Sequence, residues 1–137
     1  FYDCVSLHHV YIDYAEKIGL RAFYGCYSLE SVSIRDCKAI GDEAFYGCSE
    51  LKEISSEKTQ SVGMQAFYSC GKLETVSFPK LETLGNSAFI NCTGLTSISE
   101  MPQSAKTHST IRDIRKKAIK MNRADRIGLS FSAYFGG

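Results

Sequence analysis

Six cysteines have the widest chemical reach in this 137-residue sequence. Thiolates ligate zinc, act as nucleophiles and pair as disulfides. The spacing argues against the metal and disulfide roles. There is no C-x-x-C pair and no Cys/His cluster of zinc type; Cys4 with His8 and His9 is the nearest approach. Cys4, Cys26, Cys48, Cys70 and Cys92 instead recur at every 22nd position. An odd number of equivalent thiols cannot all pair. On neighbouring strands, about 4.8 Å apart, parallel Cβ vectors do not converge as a bridge requires. The spacing predicts a ladder of buried, reduced thiols acting as small apolar residues. Cys37 is out of register and is expected to point inward as well. No metal site and no cofactor is expected. Catalytic signatures are absent: no G-x-S-x-G, Walker A, H-E-x-x-H or dinucleotide fingerprint, so the chain does not read as an enzyme. Asn91-Cys92-Thr93 has the form of a glycosylation triplet, but the repeat itself generates it.

The elements that must position these thiols are as periodic as the thiols. AFYGC stands at 22–26 and 44–48, AFYSC at 66–70 and AFINC at 88–92. Phe1, Phe23, Phe45, Phe67 and Phe89 keep the 22-residue step, as do Leu7, Leu29, Leu51, Leu73 and Leu95. A β-branched column follows at Val10, Val32, Ile54, Val76 and Ile98, often with an apolar residue two later (Ile12, Ile34, Phe78). That alternation predicts one short strand per unit. A unit of 22 residues cannot bury its own apolar face, but stacked units can. The strands then lie side by side as a parallel sheet. Gly19, Gly41, Gly63 and Gly85 suit a positive-φ turn or a close backbone approach. Asp3, Gly25, Gly47, Ser69 and Asn91 are all turn-tolerant and predict a tight bend just before Cys.

These columns resemble the leucine-rich repeats, and more narrowly the BspA-like, or Treponema pallidum-type, subfamily. LESVSIRDCKAIGDEAFYGC at 29–48 and LETVSFPKLETLGNSAFINC at 73–92 carry the resemblance, which covers residues 1–99. There are departures from the family pattern. Pro after the strand survives only as Pro79, and the column Ala15, Cys37, Thr59, Leu81 is poorly kept. Ser56 and Glu100 replace an apolar strand residue. The resemblance implies a right-handed solenoid with a concave parallel β-sheet and a mostly irregular or short-helical convex side. It also implies an extracellular or cell-surface protein that binds other proteins or cell-surface components, adhesion included.

The strand alternation names the outward residues: His9 and Tyr11, Ser31 and Ser33, Glu53 and Ser55, Thr75 and Ser77, Ser97 and Ser99. This is the default partner surface, although it is small and hydroxylated apart from Tyr11. Tyr2, Tyr24, Tyr46 and Tyr68 form a further column, read either as an aromatic stripe for a partner or as packing over neighbouring turns.

Residues 100–137 do not repeat. TIRDIRKKAIKMNR, 110–123, reads as a C-terminal α-helix with Thr110 and Asp113 as a capping box. Ile111, Ile114, Ala118 and Met121 lie on one stripe, with Arg112, Lys116, Lys120 and Arg123 away from it. The helix is expected to cap the last coil, or to bind an acidic partner, a membrane surface or a calmodulin-like groove. The segment 127–137 faintly echoes a repeat. Residues 1–99 hold 8 Lys/Arg and 12 Asp/Glu, and residues 100–137 hold 8 and 3. An acidic array with a basic tail has no fold-wide nucleic-acid footprint. No apolar run reaches the roughly 18 residues of a membrane helix. Phe1 stands inside a repeat, which leaves upstream repeats or a signal segment open. Two functions remain: a non-enzymatic binding or adhesion module at a cell surface, or an intracellular scaffolding array docked through the basic helix.

Overall fold

The computed structural model describes residues 1–99, 101–102 and 111–112. The array is a parallel β-solenoid with two strands per coil. The longer strands are β1 (His9–Tyr11), β3 (Ser31–Ser33), β5 (Glu53–Ser55), β7 (Thr75–Ser77) and β9 (Ser97–Ser99). The shorter ones are β2 (Lys17–Ile18), β4 (Ala39–Ile40), β6 (Ser61–Val62) and β8 (Thr83–Leu84). Every pairing is parallel and advances by one repeat, as in Val10 opposite Val32 and Val76 opposite Ile98. The short strands form one continuous sheet in the order β2-β4-β6-β8. Sequence reading missed this second sheet because a two-residue strand carries too little alternation to show. The expected single long sheet is split into β1-β3 and β5-β7-β9. Among the described residues of 1–99 there is no helix.

The interior is built column on column. Leu29, Leu51, Leu73 and Leu95 are fully buried, and Ile54, Val76 and Ile98 nearly so. The Phe rings stack face to face from coil to coil with centroids 5.3–5.4 Å apart, within the range of favourable offset stacking. Two turn columns close each coil. Asp3, Gly25, Gly47, Ser69 and Asn91 all have positive φ, between 53° and 74°. The Gly19 column does not. Its glycines serve close approach: a Cβ on Gly41 would stand 2.8 Å from the Gly19 carbonyl carbon, and one on Gly85 2.3 Å from that of Gly63. The second positive-φ column lies two residues further on, at Arg21, Glu43, Gln65 and Ser87. Arg21, Glu43 and Gln65 are not residue types that announce it.

The thiols are free, all buried except the half-buried Cys4 of the first coil, and they are more than apolar filler. Cys48 Sγ donates to Phe23 O at 3.2 Å, and Cys26, Cys70 and Cys92 donate to Phe1, Phe45 and Phe67 in the same way. Phe23 O also accepts Cys26 N–H at 3.2 Å. The thiol therefore meets the second lone pair of a turn carbonyl enclosed between coils. Cys37 points inward as expected and bonds to Ala39 O. Thr59 replaces an apolar residue beside it and is fully buried, its hydroxyl donating to Cys37 O at 2.8 Å.

Outside, charge follows the same period. Asp13–Arg35, Glu16–Lys38, Arg21–Glu43, Asp36–Lys58 and Glu50–Lys72 pair equivalent positions of adjacent coils. Of the segment 110–123 only Ile111 and Arg112 are described. Ile111 is fully buried and belongs to the same apolar cluster as Ile98 and Met101, and Arg112 is exposed. The remainder of that helix, Glu100 and the segment 127–137 lie outside the described residues.

Candidate partner-binding surface

Alternation along the longer strands turns the β-branched column inward and its neighbours outward. His9, Tyr11, Glu53, Ser55 and Thr75 are exposed, Tyr11 at 76%. Ser31, Ser33 and Ser77 are half-buried. Ser97 departs from the expectation, being only 7% exposed. Ser99 takes its place in register opposite Ser77. His9 Nδ1 and Ser31 Oγ are hydrogen-bonded at 2.8 Å across β1 and β3. Ser33 Oγ donates to Asp13, which also accepts Arg35 N–H at 3.2 Å. The Ser33 hydroxyl, then the Arg35 amide, hold the Asp13 carboxyl below its usual range.

The face is interrupted between β3 and β5. Ile12 N–H donates to Ser33 O at 3.0 Å, and Ser56 N–H to Ser77 O at 3.1 Å. The equivalent bond from Ile34 to Ser55 is not made. The break coincides with Ser56, the one polar residue in its inward column among the described residues (Ile12, Ile34, Phe78). Ser56 Oγ bonds back to Cys37 O of the preceding coil at 3.3 Å and lies 3.4 Å from Lys58 N, while its own N–H keeps the bond to Ser77 O. A hollow of about 590 Å³ lies over β3 and β5, lined among others by Tyr11, Val32, Ser33, Ser55, Glu53 and Glu57. Val32 is half-buried there, whereas Val10, Ile54 and Val76 are buried. Sequence reading found Tyr11 and the serines but missed Arg35, Asp36, Glu57 and Lys58 on the rim. The opposite charges of Asp36 and Lys58, one repeat apart and 2.6 Å from each other, were the available signal.

The tyrosine column is a stack. Tyr2, Tyr24, Tyr46 and Tyr68 have ring centroids 4.7–4.9 Å apart. Arg21 lies 5.6 Å over the Tyr24 ring and its Nε is 2.8 Å from Glu43. Burial, then the neighbouring tyrosines, raise the Tyr24 hydroxyl above its ordinary pKa. The rings cover one another's faces and leave their edges outward. In the basic segment Arg112 is exposed; Lys116, Lys120 and Arg123 lie outside the described residues. Among the described residues no group of His, Cys, Asp and Glu could hold a metal ion, and no helix is long and apolar enough to cross a membrane.

Comparison with known proteins accords with this geometry. The sequence pattern described as a BspA type leucine rich repeat region matches residues 1–96 in six copies. A leucine-rich repeat protein from Bacteroides ovatus is 32% identical with a TM-score of 0.69, the match covering 72% of this chain and 26% of that one. The T. pallidum leucine rich repeat protein is 29% identical with a TM-score of 0.72, covering 82% of this chain and 56% of that one. The chain thus spans about a quarter of the first and somewhat over half of the second. A search of curated proteins finds no match. With about 70% of its length, residues 1–96 of 137, matching the repeat pattern, the chain belongs to the BspA-type leucine-rich repeat family.

Proposed function

We propose that the chain is a non-enzymatic protein-binding module whose partner surface is the outward face of β1, β3, β5, β7 and β9. The observation that carries this reading is the outward side chains of the longer strands, exposed at His9, Tyr11, Glu53, Ser55 and Thr75 and in register within each strand pair. A stacked array presents such a row without building an enclosed pocket, which suits a macromolecule better than a small substrate. Fold alone does not assign function; adhesion at a cell surface is the form of binding that the family resemblance favours. Residues 100–137 serve in this reading as the cap of the last coil, a role supported by the burial of Ile111.

The test is a pull-down of the chain against surface and cytosolic protein pools, beside a variant carrying Tyr11→Ala, Glu53→Ala and Thr75→Ala. Partners captured by the parent and lost by the triple variant support the sheet face. Partners indifferent to those changes but lost on removing 105–137 would transfer the function to the basic segment, as an intracellular docking array requires.

A further inference from the structure

We infer that the hollow between β3 and β5 is the centre of the partner surface and receives a basic side chain, arginine above all, from an extended segment of the partner. The inference rests on the sheet-face reading above and names the chemistry of its centre. Three features of the hollow converge on a cation with an apolar stem. Its floor is Val32, the one half-buried member of a β-branched column whose other members are buried. Its wall carries Glu53 and Glu57, both exposed and without an ionic partner among the described residues. The cations on the rim are already engaged: Arg35 with Asp13 at 3.5 Å and Lys58 with Asp36 at 2.6 Å. The uncompensated charge of the hollow is therefore negative.

Arginine matches each feature. Its methylene stem can lie along Val32 while the guanidinium stays at the mouth. The planar fork suits carboxylates better than a lysine point charge does. The exposed Tyr11 ring at the edge offers a cation–π face. Where the strands part, the Ser55 carbonyl lacks the Ile34 N–H that its sister positions receive, leaving a main-chain acceptor in the same opening. An extended partner segment would lie over the outward face of β3 and β5, its arginine entering the hollow.

The test is amide chemical-shift mapping of the chain with short synthetic peptides. One is Gly-Ser-Arg-Ser-Gly, capped at both ends; the others replace Arg by citrulline, its uncharged isostere, or by Glu. The arginine peptide is expected to shift the amides of Val32, Ile34 and residues 53–58 saturably. The citrulline peptide, and the E53Q/E57Q variant with the arginine peptide, should each bind about tenfold more weakly or worse. Both carboxylates are exposed, and an otherwise unchanged spectrum checks that the variant is folded. Equal shifts from the citrulline or Glu peptide would overturn the cationic chemistry and leave the sheet face standing as a binding surface. Shifts confined to other amides, or none from any peptide, would overturn the hollow as a site, while the pull-down continues to decide the sheet face.

Discussion

At the scale of the residue, the cysteine column shows how much a position can be read from its type. Burial and freedom of the thiols follow from spacing; their hydrogen bonds to the Phe carbonyls do not, because that contact runs between coils and exists only once the coils are stacked. The turn before Cys was legible for the opposite reason: Asp3, Gly25, Gly47, Ser69 and Asn91 are each tolerant of positive φ. Arg21, Glu43 and Gln65 adopt the same backbone region with no such preference, so the surrounding stack imposes it. Burial pushes the Cys26, Cys48 and Cys70 thiols above their ordinary pKa. A thiol raised in the fold adds stability that is present below the unfolded pKa, about 8.5, and lost as pH rises past it towards the folded value. Urea midpoints are expected to fall between pH 8 and pH 10, and to fall less steeply in Cys48→Ala. A slope unchanged by that substitution would mean that the thiols carry none of the alkaline sensitivity.

At the scale of the element, the interruption between β3 and β5 coincides with a single inward position that departs from its column. Ser56 is nearly buried at 5% exposure, where Ile34 and Phe78 hold the neighbouring coils. Its departure from the pattern is plain in the sequence. The missing Ile34–Ser55 hydrogen bond is not, since it exists or fails only between two stacked coils. Ser56→Ile removes the hydroxyl contact to Cys37 O, but Thr59 continues to serve that carbonyl. The gained apolar burial and the lost hydrogen bond differ by about 1 kcal/mol in favour of Ile. The expected outcome is a small rise in stability, slower hydrogen exchange at the Ile34 amide, and weaker binding of the arginine peptide as the hollow closes. Faster exchange at Ile34 would show that the strands part for a reason other than Ser56.

At the scale of the whole molecule, each coil touches only its neighbours, so the array is as strong as its least favourable junction. The 22-residue period made the stack legible, and the same period governs the ion pairs, which went unread because their partners share a column across two coils and are not neighbours in sequence. What no column could reveal is how the stack ends. Ile111 answers in part, being as fully buried as Leu51 at the centre of the array. Leu51→Ala should cost about 2–5 kcal/mol, a large share of a domain stability of roughly 5–15 kcal/mol. If the segment after β9 closes the last coil, Ile111→Ala should cost an amount in that same range, whereas Arg112→Ala, exposed beside it, should stay within about 0.5 kcal/mol of the parent. Denaturant unfolding of the three variants measures this directly. An Ile111→Ala cost no larger than that of Arg112→Ala would mean that the last coil is stable uncovered, and the basic segment would then be free to serve as a docking element instead of a cap.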